Sequence, residues 1–293
     1  MAWAEDTEAR IAALPCWRGT PHIAPLSGGM TNHNFVVRDG GQRFVARLGE
    51  DIPAHRVVRA HEVAAARAAY AAGLSPEMVY AEAGVTVQRF IDGRTLTPAD
   101  LRQPARLAPV IDLVRRCHHD VPRHLDGPAG RFDVFAILRF YAASLKDGGS
   151  AYAPQLERLM ACAAALEARV GTDAAVFGHN DLIAANFIDD GTRLWLIDWD
   201  YAGFNVPLFD LGGLAANSDF PADLEHDMLA LYFGRIDDAL PARYAAMKTA
   251  ALLREAMWAM VAEITSTISF DFAGYTRDNL QRFERAWSTV ARS

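Results

Sequence analysis

The residues best able to do chemistry together lie in GHNDLIAANF, residues 178–187, and in LWLIDWD, residues 194–200. Asp181 and Asn186 stand as D-x-x-x-x-N. At that spacing on one loop, a carboxylate can receive a hydroxyl proton while an amide oxygen holds Mg²⁺, the arrangement that phosphoryl transfer uses. Asp198 ends the apolar run Leu194-Trp195-Leu196-Ile197. A carboxylate at the mouth of a buried strand suits a second metal ligand, because Mg²⁺ takes hard oxygens, commonly one or two carboxylates plus substrate phosphates. The alternative is a hairpin whose polar residues are only turn and cap groups. A lone D-x-x-x-x-N would carry little weight, but three polar residues in this order, tied to a Leu/Ile/Trp strand, favour the chemical reading.

Such a constellation needs elements that position it and elements that hold its phosphates. Residues 23–49 predict strand, Gly-rich turn, strand, tight turn at Asp39-Gly40-Gly41, and strand. At the first turn, Ser27, Gly28 and Gly29 would let backbone approach a ligand, and Thr31 and Asn32 could reach phosphate oxygens; Ser-Gly-Gly is equally a plain hairpin turn. The pattern is neither a Walker A nor a Rossmann motif. Arg47 lies on the next strand, and Glu62 lies in a helix predicted over residues 54–72 that ends at Gly73. The two could form a pair in which the arginine fork replaces a lysine, or be solvated surface charges. Strands follow at 76–80 and 85–90, and Arg89, Phe90 and Ile91 lead into a connector.

Composition turns helical from there, so the division between two parts falls near residues 91–93: an N-terminal lobe at 1–92 and a helical lobe at 93–293. Clefts between lobes commonly hold nucleotides. Helices are expected from 97 to about 118, then near 132–145, 154–170, 222–234, 241–267 and 276–291. Cys117-His118-His119-Asp120 could be read as a metal site, but its place at a helix end favours histidines beside a C-terminal dipole. Asp210 either caps its helix or braces the loop of Asp181, with bracing preferred.

The chain has 293 residues, 51% of them hydrophobic, and a net charge of −7. That suits a packed globular protein with two lobes. Without a basic patch, nucleic acid is not an expected partner. No run approaches the ~18–20 apolar residues of a membrane span, and the acidic N-terminus is unlike a signal peptide. The cysteines, Cys16, Cys117 and Cys162, are odd in number and scattered, which predicts a reducing cytoplasm and no disulfide or zinc framework. A monomer or homodimer is expected.

The stretches LSGGMTNHNF, FVARLG, RFIDGRTLT, GHNDLIAANFIDDG, LWLIDWDYAG and PLFDLGGLAAN, together with Glu62, run in order from Leu26 to Asn217. On them the chain resembles the choline/ethanolamine kinase family, within the aminoglycoside phosphotransferase branch of the protein-kinase-like fold. HNDL…N followed by IDWDYAG is specific to that branch; protein serine/threonine kinases would show HRD and DFG. The resemblance implies an α+β, bilobal fold with a small antiparallel-sheet lobe and a larger, mostly helical lobe. It implies ATP and Mg²⁺, with Asp181 as base, Asn186 and Asp198 as metal ligands, and Arg47 on the phosphates and paired with Glu62. Ser27 to Asn32 would lie over the phosphates and Arg89 to Ile91 along the adenine.

Asp200 and Tyr201 occupy positions where the family meets a cationic acceptor. A quaternary ammonium has no hydrogen-bond donors and is best held by aromatic faces and a nearby carboxylate. Trp199, Tyr201, Trp258 and Tyr275 are candidate cage members; Trp258 and Tyr275 are as well explained as core aromatics. Asn217 stands roughly where eukaryotic choline kinases show a carboxylate, which leaves the pocket less acidic. The expected reaction carries the γ-phosphoryl group of ATP to a small amino alcohol, choline ahead of ethanolamine. Thiamine, homoserine or an aminoglycoside are the rival acceptors, and a non-catalytic nucleotide-binding protein is the rival outside enzymes.

Overall fold

The computed structural model describes residues 2–26 and 33–292. Ser27, Gly28, Gly29, Thr31 and Asn32 lie outside the described residues. The chain opens with helix α1 (Ala2–Ala12) and strands β1 (His22–Leu26), β2 (His33–Asp39) and β3 (Gln42–Leu48). Helix α2 (Arg59–Ala71) follows, then β4 (Met78–Glu82) and β5 (Val85–Arg89). The strands form one antiparallel sheet in the order β1-β2-β3-β5-β4. Alternation explains its buried face: Phe35 and Val37, Phe44, Ala46 and Leu48, and Val85 and Val87 point one way and pack with Ile11 and Leu14. The β2–β3 hairpin closes through Gly40 and Gly41 at φ 55° and 76°. A two-residue turn of that hand needs two positive φ angles, which glycine adopts without steric cost.

The second region is mostly helical. It begins with β6 (Arg94–Thr95), α3 (Pro98–Leu101), α4 (Pro104–His119) and β7 (Gly130–Arg131). Helices α5 (Val134–Asp147) and α6 (Leu156–Val170) come next, followed by β8 (Val176–Gly178), β9 (Phe187–Asp189), β10 (Leu194–Leu196) and β11 (Gly203–Asn205). Helices α7 (Pro207–Asn217), α8 (Ala222–Phe233), α9 (Leu240–Thr265) and α10 (Phe272–Val290) complete it. Two small sheets, β10-β9-β6 and β7-β11-β8, carry the loops of interest. Helix α9 is the spine, packed on α5, α6, α7 and α10. Gly212 permits the closest approach: a Cβ there would lie 2.9 Å from the Lys248 Cα. That contact brings α7 close onto α9.

Two helix expectations are corrected. The segment at 54–72 is a 3-10 turn at Pro53–His55 followed by α2, because Arg56 enters the left-handed region at φ 59° and stops the turn. The helix expected from 97 to 118 is broken into α3 and α4. Pro104 forces Gln103 into an extended conformation, φ −72° and ψ 123°, so a new helix starts at the proline.

We propose residues 91–93 as the division between lobes. The sheet's apolar cluster ends in sequence at Val87, and the helical cluster resumes at Leu96. Helix α2 bridges the two, since Ala65, Ala66, Ala68 and Ala69 belong to the helical core. Among the described residues, no helix is long and apolar enough to cross a membrane.

Candidate active site

Strand β8 delivers its loop into the cleft, and Asp210 fixes the loop's shape. From the first turn of α7, the buried Asp210 carboxylate accepts the backbone N–H groups of His179 at 2.8 Å and Asn180 at 2.7 Å. His118 Nε2 donates to it at 2.9 Å, and the Tyr232 hydroxyl, 2.6 Å from Nδ1, completes the chain. Burial alone would raise the Asp210 carboxyl, but the His118 hydrogen bond and the surrounding donors hold it below its usual value. So the bracing role is the one observed, and the Cys117–Asp120 stretch is structural. Asn180, at φ 63°, donates to the carbonyls of Tyr201 at 2.9 Å and Gly203 at 3.1 Å, which ties the loop to β11.

The turn that follows brings Asp181, Asn186 and Asp198 into one neighbourhood. Asn186 Nδ2 donates to the Asp181 carbonyl at 2.9 Å and approaches its carboxylate at 3.5 Å. Ile197 N–H donates to the Asn186 carbonyl at 3.0 Å, holding the strand end against the loop. Asp198 adopts φ 70°, in the left-handed region that non-glycine residues seldom visit, Asp and Asn more readily than most, and that clusters at functional sites. The Asn186 amide oxygen and the Asp198 carboxylate are hard donors that fit Mg²⁺. Among the described residues, no three His, Cys, Asp or Glu side chains form a closed metal cage.

Arg47 stands opposite. Its Nη1 lies 2.8 Å from Asp198, 2.8 Å from Asp200 and 3.1 Å from Glu62. Arg59 Nη1 reaches Glu62 at 2.7 Å and Asp200 at 2.9 Å. Burial would lower the Arg47 guanidinium, but the three carboxylates override it and raise it strongly. Burial and the Asp200 charge raise Glu62, against the pull of Arg47 and Arg59. The expected Arg47–Glu62 contact is therefore present, within a larger network. Three carboxylates against two guanidiniums leave a negative charge that a divalent cation would offset.

On the other side of Asp181, a cavity opens between α7 and α9, lined among others by Asp181, Asn217, Arg254 and Glu255. Arg254 is buried, and its guanidinium lies 4.5 Å from the centre of the Tyr201 ring. Its Nη1 donates to Glu255 at 2.9 Å, and the Tyr275 hydroxyl donates to Glu255 at 2.7 Å. Trp258 Nε1 donates to the Tyr201 hydroxyl at 2.8 Å and its ring stacks on His55 at 4.8 Å. Burial pushes the Asp181 carboxyl up to about 8; Arg254 opposes this, while Glu255, Asp198 and Asp200 add to it.

Several expected roles do not survive this geometry. Trp199 is 1% exposed and donates to Ser75 Oγ at 3.0 Å, so it is a core residue and not a cage wall. Asp200 is held in ion pairs with Arg47 and Arg59. Trp258 is buried, and the Tyr201 face carries Arg254 in place of a ligand's ammonium. The Arg89 side chain lies on the sheet face opposite Arg47, over Phe44 at 5.0 Å and paired with Glu77 at 3.1 Å; strand alternation turns it away from the cleft. Phe90 packs under Arg43 at 4.4 Å, and Ile91 is half-buried.

Three functional candidates escaped the sequence reading: Arg59, Arg254 and Glu255. For the last two a signal existed, an Arg-Glu pair inside the otherwise apolar run AALLREAMWAMVA of α9. Lys, Arg and Glu are rarely fully buried unless paired.

Comparison with known proteins adds the lineage. Protein LicA of Haemophilus influenzae is 29% identical over 221 residues, covering 72% of this chain and 63% of LicA. A probable ethanolamine kinase of Arabidopsis thaliana is 27% identical over 292 residues, covering 86% of this chain and 76% of its own. A choline/ethanolamine kinase family protein of Mesorhizobium loti superposes with a TM-score of 0.77 at 26% identity, covering 99% of both chains. The fold is thus the protein-kinase-like one of these neighbours. Residues 22–253 match the phosphotransferase enzyme family, and this chain belongs to that family.

Proposed function

We propose that the protein transfers the γ-phosphoryl group of ATP, with Mg²⁺, to the hydroxyl of a small amino alcohol. The observation that carries this reading is the placing of Asp181. It sits between a carboxylate–guanidinium network suited to phosphates and metal and a separate cavity with its own polar wall.

Asp181 would orient the acceptor hydroxyl and take its proton late, as bond making to phosphorus advances. Asn186 and Asp198 would hold Mg²⁺, which supplies charge neutralisation on the phosphates when bound. Arg47, held by Glu62, Asp198 and Asp200, would add fixed positive charge with little reorganisation. Positioning and electrostatics then supply most of the catalysis.

The relatives' names support an ethanolamine-type or choline-type acceptor. The wall chemistry favours the primary amine, reversing the order expected from sequence. The aromatic faces are occupied or buried, whereas Glu255, Asn217 and Asp181 supply acceptors that a hydrated ammonium needs on losing water.

An ATP-consumption screen across ethanolamine, choline, thiamine, homoserine and one aminoglycoside tests this. Mg²⁺-dependent turnover is expected, fastest with a small primary amine. Turnover only with the aminoglycoside would overturn the acceptor class, and no Mg²⁺-dependent turnover with any alcohol would overturn the catalytic reading.

A further inference from the structure

We propose that Arg254 binds an oxyanion in the acceptor cavity beside Asp181, through its Nε and Nη2. Arg254 is 4% exposed and lines the cavity together with Asp181, Asn217 and Glu255. Its Nη1 donates to Glu255 at 2.9 Å. Nε and Nη2 are buried and have no hydrogen-bond partner. The Tyr141 hydroxyl lies within its field without offering either nitrogen a hydrogen bond of good geometry.

A buried donor left unmade costs about 1–3 kcal/mol, more when charged, so two on one guanidinium are a standing penalty. A residue kept only for packing would not incur it. Nε and Nη2 form the planar edge that pairs with two oxygens of a carboxylate or phosphoryl group. The Tyr201 ring at 4.5 Å and the Phe132 ring at 5.6 Å hold the guanidinium in place. The neighbouring imidazole does not compete for an anion, since burial and the Arg254 charge drive His55 down to about 3 and keep it neutral.

Two sources supply the same chemistry: an anionic group carried by the acceptor, or the phosphoryl group as it arrives on the acceptor oxygen. Glu255 beside Arg254 completes a site for opposite charges, so an acceptor with both ammonium and carboxylate fits the wall. Only the kinetic half of the test below rests on the phosphotransferase reading.

The direct test follows the arginine Nε–H signals of the full-length protein by ¹H–¹⁵N NMR. The Arg254 signal is assigned from Arg254→Lys or, should that variant misfold, from Arg254→Gln. Sodium phosphate, sodium acetate and tetramethylammonium chloride are titrated in turn. A saturable shift of the Arg254 signal with phosphate or acetate, and none with tetramethylammonium chloride, is expected. No response to either anion, or an equal response to tetramethylammonium chloride, overturns the proposal.

Kinetics then identify the source, comparing ethanolamine with serine and 3-aminopropanol with homoserine in wild type and Arg254→Lys. If the acceptor supplies the anion, kcat/KM falls ~100-fold or more for the carboxylated members and within ~3-fold for their parents. If the phosphoryl group is the partner, kcat falls by roughly 10²–10³ for every acceptor while KM holds. A folded Arg254→Lys within ~3-fold of wild type on all of them also overturns the proposal. Absence of turnover with all four alcohols strikes the functional reading alone and leaves the titration to decide.

Discussion

Two arginines of the cleft, Arg47 half-buried and Arg254 buried, have surroundings that differ in kind. Arg47 has three carboxylates around one nitrogen, with Arg59 sharing two of them. Arg254 has one carboxylate and two unmade donors. The first site is already organised by the chain, so its guanidinium is a fixed part of the electrostatics. The second is completed only by something the chain does not provide. On the proposed function, the contrast would divide the cleft into a half for phosphates and metal and a half that recognises an acceptor, with Asp181 at their border.

The border residue carries the largest expected effect. Asp181→Asn removes the proposed proton acceptor but keeps the shape, so kcat should fall by about 10²–10⁴ with folding intact. The same variant reads the electrostatics. The folded carboxyl is pushed up to about 8, above its ordinary value near 3.9, so folded protein keeps a proton there that the unfolded chain releases. Stability is then lost as pH rises from about 4 to about 8. In EDTA, thermal melts should find Asp181→Asn more stable than wild type at pH 8, with the gap closing toward pH 4. A gap that widens on acidification, or unchanged turnover in the folded variant, would remove Asp181 from the border.

How much of this division was legible in the sequence depends on the range of each signal. D-x-x-x-x-N and the strand-end Asp198 are local, and so were readable. The Gly40-Gly41 turn and the alternation of β3 were readable for the same reason. The Arg47–Glu62 contact required only a strand and the helix after it. By contrast, the resemblance makes Asp200 an acceptor contact, but Arg59, far away in the chain, pairs with it. Trp199 looked like a cage wall until Ser75 took its indole N–H. Arg254 belongs to a helix that is apolar around nearly its whole circumference, so periodicity said nothing of which face would open on a cavity. The break at Pro104 is legible in principle, since a proline disfavours helix at the residue before it.

The second prediction sets the two arginines against each other. Arg47→Met leaves Glu62 and Asp200 with Arg59 and takes from Asp198 its Arg47 partner, and removing one partner from a buried network costs about 3–5 kcal/mol. Arg254→Met frees Glu255, which keeps its Tyr275 hydrogen bond, and also removes two unmade donors. Denaturant melts should therefore show Arg47→Met clearly less stable than Arg254→Met. Adding Glu62→Gln to Arg47→Met should restore part of the loss, since the two sites couple. Equal losses for the two arginines, with strict additivity of Arg47 and Glu62, would erase the contrast between an organised and an open site.

The smallest effect on activity is expected at Trp199, and it tests which side of the contrast the WDYAG stretch serves. Trp199 immediately follows the candidate metal ligand, so the acceptor would meet it first if the stretch formed a cage. In the fold its ring packs against His179 at 4.8 Å and its indole N–H is held by Ser75, whose hydroxyl donates to the Leu196 carbonyl at 2.8 Å. Trp199 therefore ties the strand end that bears Asp198 to the segment after α2, by way of one hydroxyl. Trp199→Phe keeps the apolar ring and removes the donor. It should cost about 1 kcal/mol for the hydrogen bond, and more for the smaller ring, read as a lower denaturation midpoint. KM for the acceptor should stay unchanged, with kcat moving by less than ~3-fold because Asp198 retains its Arg47 contact. A rise in acceptor KM without loss of stability would return Trp199 to the acceptor half of the cleft and redraw the border through it.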